Sequence, residues 1–289
     1  MEKARSLLGR CRLCARNCGV DRLNGESGQC HATNEVIVSS FGPHFGEEAP
    51  LVGRCGSGTI FFAYCNLHCV FCQNYGISQL GEGSAVDGTE LADMMLSLQS
   101  KGCHNINLVS PTHVVPFILE ALEIAVGKGL QLPIVYNTGG YDSLETLELL
   151  NGIVDIYMPD MKYSVEEVGE KFSGVEQYPR VNRAAVKEMH RQVGDLQVDE
   201  SGVALRGLLV RHLVLPDGLA GTKGVVRFIA AEISRNTYLN VMAQYHPCYH
   251  AFDYPQISRP ITREEFSAAI EQAQRSGLNC LDERISLHI

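Results

Sequence analysis

The feature that most narrows the folding options is an alternation. Six strand-like runs, each followed by a helical pattern, succeed one another across residues 59–250. The runs 59–64, 105–109, 133–137, 154–158, 205–215 and 238–244 are rich in Ile, Val, Tyr or Phe and bounded by Gly, Pro or Asn, as buried parallel strands are. Between them, Leu91, Met94, Met95 and Leu98 share one helical face, and Val115, Ile118, Leu119 and Leu122 another. Further helices are expected over 144–150, 184–193 and 225–233. About 32 residues per unit suits a βαβ repeat. The expected fold is therefore α/β, an incomplete (β/α)6 TIM-like barrel. A closed eight-unit barrel would need roughly 250 residues.

The first 50 residues depart from this pattern. They hold four cysteines, several glycines and one short strand-like run, 35–40, followed by the loop 41–46. So little apolar periodicity cannot build a core, so this region must be stapled by metal, docked on the larger domain, or both. The expected organisation is a cysteine-rich, metal-binding extension over 1–50, a partial barrel over 51–260, and a helix and tail over 261–289. The last helix, 262–276, has Thr262 as its cap and Glu265 three residues on.

A formal charge of −9 and the lack of a basic tract argue against a nucleic-acid partner. Residues 1–12 hold no apolar stretch of signal-peptide length, and nowhere do 18 apolar residues run together. The expectation is a cytoplasmic protein with no membrane span. In that reducing setting, 11 cysteines point to metal or redox chemistry rather than disulfides.

Three of them, Cys65, Cys69 and Cys72, follow the first strand with the spacing C-x3-C-x2-C. Loop cysteines this close can aim their sulfurs at one point. A cubane [4Fe–4S] cluster has four irons, each taking one thiolate, so three cysteines leave one iron open. A closed zinc site would need a fourth ligand, for which His68 is the local candidate. Three inert packed thiols are the remaining reading.

The motif, with Phe71 as the aromatic before its last cysteine, resembles the radical S-adenosylmethionine superfamily. That resemblance implies a [4Fe–4S] cluster whose open iron is chelated by S-adenosylmethionine, and a 5′-deoxyadenosyl radical that abstracts hydrogen. In such a barrel the remaining ligands come from the C-terminal ends of the strands. The second strand ends Ser110-Pro111-Thr112-His113, the third Asn137-Thr138-Gly139-Gly140, the fourth Asp160-Met161-Lys162, the fifth Leu215-Pro216-Asp217-Gly218 and the sixth Gln244-Tyr245-His246. The Asp-x-Lys, the Asn-Thr-Gly and the late His are similar to the activating enzymes of glycyl radical enzymes, the branch typified by pyruvate formate-lyase activating enzyme. The roles so implied are Lys162 near the cofactor carboxylate, and Asn137, Asp160 and His246 around its ribose and amino group. One departure stands out. Where that branch carries Gly-Gly-Glu after the second strand, this chain has Ser110-Pro111-Thr112, and the hydroxyls or carbonyls of Ser110 and Thr112 would have to replace that edge. The implied partners are a protein or peptide substrate, a glycyl radical enzyme among them, and an electron donor of flavodoxin or ferredoxin type. A radical enzyme acting on a small molecule and a non-catalytic iron–sulfur redox protein stay open as alternatives.

Cys11, Cys14, Cys18 and Cys30 make a four-thiolate set, complete for zinc or for a second iron–sulfur cluster. Cys55, Cys103, Cys248 and Cys280 stand alone and are expected to be small buried hydrophobes.

Overall fold

The computed structural model describes residues 2–282. Among them nine strands form one sheet: β1 (Val36–His44), β2 (Ser57–Phe62), β3 (Ser84–Val86), β4 (Ile106–Val109), β5 (Ile134–Thr138), β6 (Ile156–Pro159), β7 (Gln197–Val198), β8 (Ala204–Leu213) and β9 (Tyr238–Met242). Their order is β3-β1-β2-β4-β5-β6-β8, with β7 and β9 both pairing with β8. Strands β2, β4, β5, β6, β8 and β9 run parallel throughout. The expected six-unit partial barrel is present, and the sheet does not close.

Alternate strand residues, such as Ile60, Leu108, Tyr136 and Val210, face outward into the main core beneath the helices. Those helices are Gly88–Ser100, Val115–Gly127, Leu144–Leu150, Tyr178–Val193 and Thr222–Phe228. Asp87 and Glu90 form a reciprocal capping box at the start of the first, satisfying amides that would otherwise lack partners. The helix at the chain's end, Arg263–Arg275, carries the same device in Thr262 and Glu265.

Several elements differ from expectation. The run 41–46 is not wholly a loop, because β1 continues to His44 and joins the main sheet antiparallel to β2. Phe41-Gly-Pro-His looks like a chain breaker, but β3 covers only Val36–Val38 on the other edge of β1. Beyond that point the missing N–H of Pro43 can lie on an open edge, where it costs no ladder bond. The helix expected over 184–193 begins at Tyr178, since Pro179 sits in its first turn, where proline is tolerated. The stretch 225–233 divides into Thr222–Phe228 and a π turn at Ile229–Ile233. The helix Glu166–Ser173 and strands β3 and β7 are too short or too polar to show a period in the sequence.

The inner face of the sheet changes character along its length. Its floor is apolar: Val135, Ile156, Met158, Ala204 and Leu209 pack around the wholly buried Leu51. Leu51 belongs to the β1–β2 connection, which folds in under the sheet as a plug. Burying such a side chain contributes about 2 kcal/mol. Its carbonyl accepts from Asn105 Nδ2 at 2.9 Å, and Ser57 Oγ donates to Asn105 Oδ1 at 2.7 Å. Above the floor, the inward positions are polar: Asn137, Arg211 and Asn240, the last two paired across β8 and β9.

The extension docks on the outer helices. Leu7, Leu8, Cys11 and Leu13 form a small core against Phe117 and Leu149. Arg22, fully buried, pins it by donating to Thr33 O through Nε (2.9 Å) and Nη2 (2.6 Å), and to His113 O through Nη1 (2.7 Å).

Candidate active site

Beyond β2 the backbone turns sharply through Tyr64, a non-glycine residue at φ 69°, and delivers the cysteine loop to the C-terminal mouth of the sheet. A left-handed conformation in a bulky residue is costly and persists where surroundings enforce it. Here the Tyr64 N–H is tied to Ile77 O at 3.0 Å. The loop then pairs with the end of the Glu166–Ser173 helix, through His68 N–H to Ser173 O and Val70 N–H to Phe172 O, both 2.9 Å. Each sulfur meets a polar group. Cys69 Sγ lies 3.0 Å from Ser173 Oγ, Cys72 Sγ 3.0 Å from Ser78 Oγ, and Cys65 Sγ accepts from Leu67 N–H at 3.4 Å. The thiols of Cys65 and Cys69 are pushed up, to about 12 for Cys65, first by burial and also by the neighbouring sulfurs. Protons must therefore leave when a metal binds. Lys162 works the other way on both thiols.

Lys162 belongs to a buried group of charges at the ends of β5, β6 and β8. Its Nζ donates to Asp160 Oδ2 at 2.6 Å, while Arg211 Nε donates to Asp160 Oδ1 at 2.9 Å and Nη2 to Asn137 Oδ1 at 2.8 Å. Burial alone would raise the Asp160 carboxyl, but Arg211 and Lys162 hold it below its ordinary value. Burial likewise opposes the charge on Lys162, yet Asp160 and Cys69 keep its ammonium protonated well above the usual range. The start of the Tyr178–Val193 helix clips the two strand ends together. Tyr178 Oη donates to Gly139 O and Asp160 O, and Asn182 Nδ2 to Gly140 O and Asp160 O, all at 2.9–3.1 Å. Gly140, at φ 75°, has no room for a Cβ, which would meet Asn182 Nδ2 at 2.2 Å.

Next to these charges, inside the barrel, lies a cavity of about 490 Å³ reaching from Asn137 and Arg211 to Glu47 and Glu48 on the plug segment. Both glutamates are buried. The Glu47 carboxyl is pushed up to about 7 by burial and by Glu48, against the pull of Arg211. Glu47 Oε2 is 3.8 Å from Arg211 Nη1, and Glu48 Oε1 accepts from Asn240 Nδ2 at 3.1 Å.

No family model matches the chain. Uncharacterized protein MJ0674 of Methanocaldococcus jannaschii is 33% identical over 291 residues, covering 97% of this chain and 79% of that protein. The two belong to one family. In three dimensions, a radical SAM methyltransferase from Sphaerobacter thermophilus superposes with a TM-score of 0.53 at 14% identity, over 79% of this chain and 67% of that one. SuiB of Streptococcus suis, solved with the precursor peptide SuiA, superposes at 0.50 and 13% identity over 75% of this chain. This chain spans less than half of SuiB, 45%. The MJ0674 family thus has the partial-barrel fold of radical SAM enzymes.

In this member of the MJ0674 family the cysteine loop, Asn137, Asp160, Lys162 and His246 gather at one mouth. His246 is exposed and receives an N–H from Gln73, the neighbour of Cys72, at 3.2 Å. Ser110, at φ 56°, donates its N–H to Asn137 O at 2.9 Å. Of the two groups expected of Thr112, a hydroxyl or a backbone carbonyl, the hydroxyl is already engaged. Thr112 is buried, with Oγ1 donating to Asp142 Oδ1 at 2.7 Å, where Tyr136 and Thr138 also donate. His113 is buried beside it. Its Nε2 is 2.8 Å from Ala63 O, and burial and then Arg22 push it down to about 4, so it is neutral. His68 turns to Gln79, 2.9 Å away.

None of the eleven cysteines is in a disulfide. The amino-terminal thiols feel one another's charge, Cys14 being pushed up to about 12 by burial and then by Cys30, Cys11 and Cys18. Among the described residues no three His, Cys, Asp or Glu side chains are drawn around a single ion. For the loop, the chemistry of the donor set fits a cluster better than one zinc: three soft thiols, no fourth, and a cation beside them. Two of the lone cysteines, Cys55 and Cys280, are exposed rather than packed, whereas Cys103 is buried under the start of β4. Among the described residues no helix is long and apolar enough to cross a membrane.

Sequence reasoning missed Glu47, Glu48, Arg211 and Asp142. A charge inside an apolar strand run, as at Arg211, was the readable signal. For the glutamates there was none, because only the plug's fold buries them.

Proposed function

We propose that this chain is a radical S-adenosylmethionine enzyme that abstracts hydrogen from a protein or peptide, with glycyl radical enzymes as the leading substrate class. The observation that carries the reading is the three-cysteine loop at the mouth of six parallel strands, with a buried, protonated Lys162 beside its thiols. In this reading Cys65, Cys69 and Cys72 hold a [4Fe–4S] cluster and leave one iron for the cofactor. Bound together, the cluster and S-adenosylmethionine supply a 5′-deoxyadenosyl radical, chemistry that belongs to the cofactor. The chain's own work is placement and charge. Lys162 meets the cofactor carboxylate, Asp160 fixes Lys162, and Asn137, Ser110, the Thr112 backbone and His246 line the remaining edge. SuiB, which shares the fold, was solved with a precursor peptide, which supports a peptide as the occupant of the mouth.

A second reading, a small-molecule substrate, is favoured by the charged cavity of about 490 Å³. We further assign Cys11, Cys14, Cys18 and Cys30 to a second iron–sulfur cluster or a zinc ion, and the electron supply to a flavodoxin or ferredoxin. Anaerobic reconstitution followed by dithionite is expected to give 5′-deoxyadenosine from S-adenosylmethionine. Well-loaded protein that yields none would end the enzyme reading. Mössbauer spectroscopy with metal analysis on the same sample counts clusters and separates iron from zinc in the extension.

A further inference from the structure

The extension reaches the cysteine loop through one side chain. Residues 14–17 form a tight turn, closed by Asn17 N–H to Cys14 O at 3.1 Å. That turn is fixed just past β5, where Cys14 pairs antiparallel with Asp142 and Ala15 N–H reaches Tyr141 O at 3.5 Å. From it Arg16 extends to the loop, and its Nε donates to Asn66 O at 2.6 Å. Asn66 directly follows Cys65 and is buried. Its Nδ2 donates to the same Tyr141 O at 2.9 Å, and its Oδ1 lies 3.8 Å from Cys65 Sγ. Carbonyl and side-chain amide of Asn66 are therefore both tied down, the first by the extension. The arrangement costs stability, because Arg16 Nη2 is buried and finds no acceptor among the described residues. Local rules broken in this way are expected at functional sites.

We propose that Arg16 is a positioning residue for the cysteine loop. Its bond to the Asn66 carbonyl fixes the chain beside Cys65 in the orientation that receives the cluster, and its charge raises the cluster's reduction potential. This rests on the reading of Cys65, Cys69 and Cys72 as a cluster site, and it gives the extension a part in that site. A guanidinium suits the task, because it stays charged at any working pH and makes a strong, directional bond to a carbonyl. Groups that orient a metal ligand are worth roughly tenfold to a hundredfold in metal affinity. A nearby positive charge favours the reduced cluster, which carries one more negative charge. Cys14 and Cys18 flank Arg16, so their own metal would stiffen the turn that presents it.

The test begins with metal-free, full-length protein. Arg16→Met is expected to speed iodoacetamide labelling of Cys65 at least about fivefold, the loss of one hydrogen bond to a charged group. Cys103, buried under the start of β4, should stay protected and reports that the variant is folded. After anaerobic reconstitution, iron should pass from Arg16→Met to a chelator about tenfold faster than from the unaltered protein. The cluster that responds to S-adenosylmethionine is then titrated by electron paramagnetic resonance. Its midpoint should fall by about 30 mV in Arg16→Gln, about a threefold change in the oxidised-to-reduced ratio where about 59 mV is tenfold. Arg16→Lys, which keeps the charge and a donor, should restore the midpoint, as a purely packing role would not. Unchanged labelling of Cys65 in Arg16→Met, or an unchanged midpoint in Arg16→Gln, would overturn the proposal. Were Arg16→Met to unfold and expose Cys103 as well, the midpoints of Arg16→Gln and Arg16→Lys still decide. The labelling arm needs no cluster. Failure of the enzyme reading, seen as no 5′-deoxyadenosine from the unaltered protein, is therefore distinguishable from failure of the Arg16 assignment.

Discussion

The sulfurs of Cys65, Cys69 and Cys72 meet hydroxyls, a backbone amide and the field of Lys162, beside a cavity that can admit a ligand. Of the amino-terminal cysteines, Cys11 and Cys18 sit instead in a leucine-lined knot between the extension and the outer helices, and Cys14 feels the charge of Cys30, Cys11 and Cys18. The cation beside Cys11, Arg22, spends donors on the carbonyls of Thr33 and His113. Similar ligand atoms are thus placed in one open setting and one closed one. The open set has a cation that gives one of its three hydrogens to Asp160 and keeps others for a ligand's negative charge; the closed set has its cation built into the fold. From this we expect reaction chemistry at the first and attachment at the second.

The sharpest way to break the comparison is to remove one sulfur from each. Cys69→Ala is expected to take 5′-deoxyadenosine formation to background, because the loop has no spare thiol. Cys11→Ala should leave product measurable by chromatography while lowering the thermal midpoint. If the two variants lose product equally, the extension is part of the reaction path and the contrast fails.

A second test exchanges the two buried arginines. Arg22→Met strands the carbonyls of Thr33 and His113; Arg211→Met strands Asp160 and brings Glu47 closer to uncompensated charge. Arg211→Met is expected to cost about 3–5 kcal/mol in urea melts, the usual penalty for leaving a buried charge without its partner, and Arg22→Met about 1–3 kcal/mol for each stranded carbonyl. The consequences should diverge in kind. Limited proteolysis should release the extension from Arg22→Met, whereas Arg211→Met should weaken S-adenosylmethionine binding with the extension still protected.

That divergence also marks what the sequence could tell. The six parallel strands were legible because each is a β-branched or aromatic run with clear stops, and a buried parallel sheet needs no finer pattern. The place of the cysteine loop, just past the first parallel strand, was legible because its signal lies in local spacing. Asp142 was not: three hydroxyls from β4's end and β5 converge on it only after the strands come into register. The Thr112 hydroxyl looks available in the sequence for the same reason, until Asp142 takes it and leaves the backbone of Thr112 as the candidate. Glu47 and Glu48 look like surface acids until Leu51 draws their segment beneath the sheet.

Titration sharpens the comparison more gently. His113, beside the extension, and His212, under Met161, are both neutral, each pushed down to about 4 chiefly by burial. With folded values below the ordinary 6.5, their stabilising share is complete above pH 6.5 and is lost as pH falls toward 4, up to about 3 kcal/mol each. Glu47 behaves oppositely. Its value is raised to about 7, so its share is present near pH 4.5 and lost as pH rises through 7. Urea midpoints between pH 4 and 8 should therefore fall at both ends. His113→Gln is expected to flatten the acid side, and Glu47→Gln the alkaline side.

The smallest effects should come from filling space beside each sulfur set. A Cβ at Gly28 would meet Cys18 Sγ at 2.5 Å, and one at Gly139 would meet Leu67 Cδ1, between Cys65 and Cys69, at the same distance. Neither glycine has a left-handed backbone, so alanine tests room alone. Gly28→Ala must shift a short side chain in the knot, and overpacking of this kind costs about 1–3 kcal/mol. Gly139→Ala displaces the far end of a flexible leucine and should cost about 1 kcal/mol or less. Yet the milder substitution should be the one that slows 5′-deoxyadenosine formation, because Leu67 holds the spacing of the open loop. A rate loss in Gly28→Ala matching that in Gly139→Ala would show that the closed set is mechanically coupled to the reaction.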